Sequence, residues 1–264
     1  MLQLTTGKYL GSNKRSWDAD GVLISETEYH SKVFEGWHYH DNVHITLIVQ
    51  GGNMEQRESR ESEATAGQIL FYTGGELHRN FNTLHPSRNI NMEIHDRFFS
   101  AYDIAKPTLN STALNQARAK FTLLKTYREC LTNDEHSPTA IHALLIHFLS
   151  VTPVDNLEAS QPQWAKTVTA IINDRWNENI SLEELSRLAD VHPVTISKCF
   201  PKYFFCTLGE YIRKIRIEKA TALIRQSHRS LTDIAYECGF FDQSHFIRVF
   251  KQTTGFLPNR YKKI

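Results

Sequence analysis

Two groups of residues in this 264-residue chain have types and spacings suited to chemistry. The first is His38 and His40, two apart in a stretch that reads as extended chain. Alternate side chains of a strand share a face, so both imidazoles point the same way. Imidazole suits Zn, Ni, Cu or Fe, and it serves equally as a hydrogen-bond partner for an organic ligand. The second group lies near the end. Val194, Ser197 and Lys198 fall on one side of a short amphipathic segment. Gln243, Ile247 and Arg248, with Ser244 beside them, fall on one side of another. Arg can hold a guanine edge with two hydrogen bonds, Gln an adenine edge, and Val or Ile can touch a thymine methyl. Lys202 and Lys251 are placed for phosphate oxygens.

The second group needs helices to present it. From Trp164 onward the pattern is helical, with Trp164, Val168, Ile171 and Ile172 on the first apolar face. Ser181-Leu-Glu-Glu184 and Thr207-Leu-Gly-Glu210 are capping boxes, and Ser230-Leu-Thr-Asp233 is a weaker one. Three start signals so close together predict several short helices. Residues 182–200 and 231–250 each read as a short helix, a tight turn and a second helix. Ile196 and Phe200 in one, and Phe246 and Phe250 in the other, sit at i, i+4 on the buried side. A helix-turn-helix has this form: the first helix packs behind and the second faces a major groove. Between them runs a helix rich in Arg213, Lys214, Arg216 and Lys219.

The front half reads as strands from Val22 to about Glu93, punctuated by Gly51-Gly52, Gly67 and Gly74-Gly75. Several short strands with frequent turns point to a sandwich or a barrel. After Pro107, Leu114, Ala117, Phe121, Leu124 and Leu131 form one helical stripe, and a second helix starts at Pro138. That stripe either closes the bottom of the sheet region or seats a second copy of the chain. Residues 151–163, with two prolines and no period, form the boundary.

Composition agrees with a two-domain reading. Residues are 41% hydrophobic and 22% charged, and no stretch is apolar for the length of a membrane span. Four isolated Cys and the lack of a secretory signal argue for a reducing cytoplasm. The net charge of +1 hides an asymmetry. Residues 1–162 hold 14 Lys and Arg against 19 Asp and Glu, whereas 163–264 hold 16 against 10. A basic back half on an acidic front half suits a polyanion that meets only the back.

Residues 164–264 resemble the DNA-binding domain of AraC-type transcription regulators. The resemblance rests on Ile234-Ala-x-x-x-Gly239-Phe240-x-Asp242-Gln243-Ser244-x-Phe246-x-Arg248-x-Phe250-Lys251-x-x-x-Gly255-Phe256-x-Pro258-x-x-Tyr261. One departure is Phe205, where the family has Gly closing the first unit. The resemblance implies two helix-turn-helix units bridged by a helix from about Leu208 to Gln226. It also implies base reading from Val194, Ser197, Lys198, Gln243, Ile247 and Arg248.

Residues 36–51 and 67–82 resemble the two motifs of the cupin barrel, with His44 for the motif's Glu and Thr73 for its Pro. This brings His44 and His78 to His38 and His40 as ligands of a metal, or, with Trp37 and Tyr72, as contacts of an effector, with Tyr39 nearby.

The expected fold is therefore α+β in two domains: a cupin-like β-barrel followed by helices, then an all-α double helix-turn-helix. The expected boundaries are an effector-binding and dimerisation domain at 1–155, a linker at 156–163 and a DNA-binding domain at 164–264. The expected function is a sequence-specific DNA-binding transcription regulator, an activator or a repressor, whose operator binding is controlled by a small effector in the N-terminal barrel. Its partners would be double-stranded DNA, a small effector, a second copy of the chain and, for activation, RNA polymerase; no membrane is implied. No cofactor is fixed, and a divalent metal on the four histidines stays open. The competing expectation is a metal-dependent cupin enzyme, a dioxygenase or isomerase, carrying a DNA-binding domain.

Overall fold

A computed structural model describes residues 1–58, 60–106, 113–150, 161–226 and 229–264, without the side chains of 113–116, 150 and 226. The chain divides into two compact units, Met1–Thr152 and Pro153–Ile264. Residues 156–160 of the expected linker lie outside the described residues.

The first unit opens with ten strands: β1 (Leu2–Leu4), β2 (Ser12–Asp18), β3 (Val22–Tyr29), β4 (His38–His40), β5 (Val43–Gln50), β6 (Gly52–Arg57), β7 (Arg60–Thr65), β8 (Ile69–Tyr72), β9 (His78–Phe81) and β10 (Ser87–Ile94). The helices α1 (Asp96–Ala101), α2 (Ala113–Thr132) and α3 (Ser137–Ser150) follow. Two strands, β1 and β2, precede the region where the alternating pattern begins. The β2 sequence Ser-Asn-Lys-Arg-Ser-Trp-Asp is mostly exposed and polar, so it carries no alternation to read.

The strands form two separate sheets, ordered β1-β4-β9-β6-β7 and β2-β3-β10-β5-β8. This corrects the expected cupin-like barrel. Closing a barrel requires the outer strands to pair, so that no edge remains. Among the described residues no strand of one sheet pairs with a strand of the other, and neither sheet closes on itself. The region is β-rich with open edges.

The second sheet has two different faces. On β10, Asn89 and Asn91 point into a cavity, and Ile90, Met92 and Ile94 alternate with them. Helix α2 packs on this sheet at β5, β8 and β10. The Tyr127 hydroxyl donates to buried Glu26 of β3 at 2.9 Å. Phe121 and Leu124 of the α2 stripe are 5% and 0% exposed. The chain's own core therefore takes these two positions, the first of the two roles the sequence left open for the stripe. Leu131 is exposed, and the Leu114 side chain lies outside the described residues.

The second unit is helical: α4 (Gln163–Asp174), α5 (Leu182–Leu188), α6 (Pro193–Phe204), α7 (Leu208–Gln226), α8 (Leu231–Glu237), α9 (Gln243–Thr254) and α10 (Pro258–Tyr261). Its core is aromatic, built on Phe200, Phe246, Phe250 and Tyr261, all at most 1% exposed. Among the described residues, no helix is long and apolar enough to cross a membrane.

Candidate functional site

Sheet register assembles the histidines. Antiparallel pairing of β4 with β9 sets His38 directly opposite His78. Pairing of β5 with its neighbours sets His44 beside Tyr72 of β8 and Glu93 of β10. His38, His40, His44, Tyr72 and His78 all line one cavity, of about 480 Å³ with its open mouth included. Ring centroids are 4.4 Å apart for His38 and His78, 4.1 Å for His40 and His44, and 5.7 Å for His40 and His78.

Three of the four rings fit a metal. One nitrogen from each of His38, His40 and His78 lies within 4.8 Å of the others, so the cluster could hold a divalent ion. His44 stands aside, its ring stacked on Tyr72 at 4.3 Å. The Nδ1 of His38 meets the Gly36 carbonyl at 3.0 Å, and that of His78 meets the Glu76 carbonyl at 2.9 Å. A carbonyl only accepts, so Nδ1 carries the proton in both rings and Nε2 keeps its lone pair. Backbone bonds of this kind orient metal-binding histidines. The Nδ1 atoms of His40 and His44 are buried with no hydrogen-bond partner among the described residues.

Burial holds these imidazoles neutral. It pushes His40 down to about 3 with help from the neighbouring rings His78 and His38, and His78 down to about 4 with help from His38. Burial likewise lowers His38, and it takes His44 well below the ordinary value. At neutral pH the cluster presents lone pairs and N–H donors, not charge.

The sequence reading missed most of the cavity wall. Tyr9, Thr46, Asn80, Asn89 and Asn91 also line it. Tyr9 donates to Glu93 at 2.6 Å, and its hydroxyl is pushed well up by burial and then by Glu93. Thr46 donates to Asn91 at 2.8 Å, and Asn91 donates to Thr27 at 3.0 Å. Asn89 and Asn91 alternate with Ile90 and Met92, which was the available signal. Among the described residues, no Lys, Arg, Asp or Glu lines it. Trp37 and Tyr39 do not line the cavity, and the Arg79 guanidinium lies 5.6 Å from the Trp37 ring centroid.

In the helical unit, side-chain caps start the first helix of each pair, α5 and α8, and the second recognition helix, α9. Ser181 Oγ accepts from the Glu184 amide at 3.1 Å, and Ser230 with Asp233 forms a complete capping box. Asp242 Oδ1 accepts from the His245 amide at 2.7 Å and starts α9. Ile196, Phe200, Phe246 and Phe250 are fully buried, so the opposite sides of α6 and α9 face outward. Val194, Ser197, Lys198 and Lys202 on α6 are exposed, as are Ser244, Arg248 and Lys251 on α9. Gln243 and Ile247 are partly exposed. Arg248 has no ion-pair partner among the described residues, and the Thr232 hydroxyl donates to Gln243 Oε1 at 2.7 Å. Helix α7 packs against α6, α8 and α9.

Comparison with known proteins bears on this unit first. The family model described as a helix-turn-helix domain matches residues 185–264. The bifunctional transcriptional activator and DNA repair enzyme AdaA of Bacillus subtilis is 28% identical over 109 residues, 41% of this chain and 52% of that protein. The transcriptional activator RhaR of Mannheimia succiniciproducens is 21% identical over 238 residues, 85% of this chain and 86% of that protein. The matched residues contain the two helix pairs α5–α6 and α8–α9 with α7 between them, apart from the start of α5. A crystal structure of a Chromobacterium violaceum regulator with an AraC-type domain is 20% identical, covering 40% of this chain and 94% of that one, with a TM-score of 0.38. The chain spans about half of AdaA, and 32% of the regulator YpdC of Escherichia coli. The relatives named here are described as transcriptional regulators or activators, AdaA being a DNA repair enzyme as well.

Proposed function

We propose that this chain is a sequence-specific transcription regulator whose operator binding is controlled by a small ligand in the N-terminal cavity. The observation that carries the reading is the pair of capped helix-turn-helix units, with aromatic faces buried and reading faces exposed. Arg248 and Gln243 would read base edges on the second recognition helix, with Ile247 and Ser244 beside them. Val194, Ser197 and Lys198 would do so on the first, with Lys202 and Lys251 on phosphates. RhaR and AdaA are named activators, which supports the same sign of regulation here and a contact with RNA polymerase. A homodimer would use surface other than Phe121 and Leu124, and the cytoplasm is the compartment such a regulator needs.

Among the described residues the cavity wall has no Lys, Arg, Asp or Glu, so it suits an uncharged molecule rich in hydrogen-bonding groups. A second reading, a divalent transition metal on His38, His40 and His78, is supported by their mutual reach and by the backbone bonds that fix two of the rings. A bound ion would supply Lewis acidity and a fixed charge, and these residues would contribute neutral nitrogen ligands.

Selection of binding duplexes from a random library with the full chain tests the DNA reading. The expected product is a site with two short blocks about one helical turn apart, ~34 Å. Recovery of no preferred sequence would reject it. Native mass spectrometry of protein purified from cells separates the organic ligand from the metal.

A further inference from the structure

Arg216 on α7 is a basic residue that the DNA reading leaves unused. It is 8% exposed, and no carboxylate pairs with it among the described residues. Its guanidinium donates instead to four neutral oxygens. Nε reaches the Trp176 carbonyl at 3.0 Å, and Nη2 reaches the Glu178 carbonyl at 2.8 Å and Asn179 Oδ1 at 3.1 Å. Nη1 reaches the Gly239 carbonyl at 2.5 Å. The first three oxygens belong to the turn between α4 and α5, which enters the first helix-turn-helix unit. The fourth lies just after α8, in the turn of the second unit.

The two turns are also packed together around this side chain. Gly239 has φ +73°, and a Cβ there would stand 2.4 Å from the Asn177 carbonyl oxygen and 2.9 Å from Arg216 Cζ. Backbone from one unit therefore meets backbone from the other with the guanidinium between them. A buried cation without a counter-charge is tolerated only when its donors are satisfied, so releasing either turn strands a charge. A planar fork of five N–H groups can reach oxygens on both sides at once. A lysine ammonium, a point charge with three donors, cannot span them.

We propose that Arg216 is a positioning residue: it locks the two helix-turn-helix units into one rigid reader and so sets the operator spacing that the protein accepts. The inference rests on the proposed reading that both recognition helices enter DNA. A residue needed only for stability would weaken binding to every spacing alike. A clamp between units makes its removal cheapest on the wrong spacing.

The test uses the full chain and a duplex selected from a random library, with one base pair inserted between the two contacted blocks. The insertion turns one block by about 34° relative to the other. Wild type is expected to lose about 30-fold in affinity on the inserted duplex. Arg216→Lys is expected to bind the original duplex more weakly, and its loss on insertion should shrink to about threefold. A folded Arg216→Lys that keeps the wild-type ratio overturns the proposal. If circular dichroism shows Arg216→Lys unfolded, Asn179→Ala decides. It removes one acceptor from an exposed side chain and should lower the ratio about twofold; an unchanged ratio overturns the proposal. A wild type indifferent to spacing rejects the clamp but leaves DNA binding standing. Selection of no duplex rejects the DNA reading, and the clamp falls with it.

Discussion

The sheet unit keeps its polar groups inside, and the helical unit keeps them outside. Four histidines, Thr46, Asn89, Asn91 and Glu93 are buried between and within the sheets. In the helical unit the buried polar side chains among the described residues are Arg216, Thr221 and Thr254, and the core is otherwise apolar or aromatic. A cavity must be lined with groups that would rather be in water, and its stability depends on their staying neutral or bonded. A reading surface has no such cost, because its donors wait in solvent. The contrast teaches where each unit should fail.

Acid should produce the largest effect, and only in the sheet unit. His78 titrates at about 4 in the folded chain, against an ordinary value of about 6.5 in the unfolded chain. Between those values the unfolded state binds more protons, so stability rises with pH. The contribution is fully present above pH ~6.5 and is lost as the pH falls towards about 4, costing about 3 kcal/mol for His78 alone. His38, His40 and His44 are lowered in the same direction. Calorimetry of chelator-treated protein from pH 7 to pH 4 should show the sheet unit's transition falling by about 10 °C or more while the helical one holds. Transitions that fall together would break the comparison.

The exposed side should fail one residue at a time, without loss of fold. Arg248→Ala should cost ~1–3 kcal/mol on the selected duplex and relax preference at one base position. Lys251→Ala should weaken selected and random duplexes alike and lower the salt slope by about 0.9. Equal losses on selected and random DNA for Arg248→Ala would move it from reading bases to touching phosphates.

The same contrast explains what the sequence revealed. Caps and i, i+4 pairs are local, so Ser181, Ser230, Phe246 and Phe250 could be placed from short windows. The sheets depend on distant partners. The parallel pairing of β1 with β4 and the open edges of both sheets leave no mark within a window of ten residues. Alternation on β5 and β10 was legible, but its polar side was open to two meanings, solvent or cavity. The α2 stripe had the same ambiguity, since Phe121 and Leu124 read alike whether they meet a sheet or a second copy. His38 and His40 were legible as a pair because a strand has period two. The exclusion of Trp37 and the entry of Tyr9 were not, because both depend on where the N-terminal segment runs.

The smallest effect sharpens the comparison within the helical unit, where conformation rather than burial is at stake. The helix α6 ends at Phe205 with φ 52° and ψ 25°, and α9 ends at Gly255 with φ 85° and ψ −12°. Both close in the same way: the Phe205 amide donates to the Pro201 carbonyl at 3.0 Å, and the Gly255 amide donates to that of Lys251 at 2.8 Å. The left-handed region costs a residue with a Cβ about 1–2 kcal/mol, and glycine is spared. Phe205 is 46% exposed, so its ring recovers only part of that cost through burial. Glycine also frees the unfolded chain, which returns about 0.4–1 kcal/mol of the gain. Phe205→Gly should therefore stabilise the helical unit by about 0.5 kcal/mol and raise its melting temperature by about 3 °C. Gly255→Ala should destabilise it by about 1 kcal/mol. Thermal melts of the full chain check both signs. A Phe205→Gly protein that melts lower would mean that the exposed ring makes a contact worth more than the strain it carries.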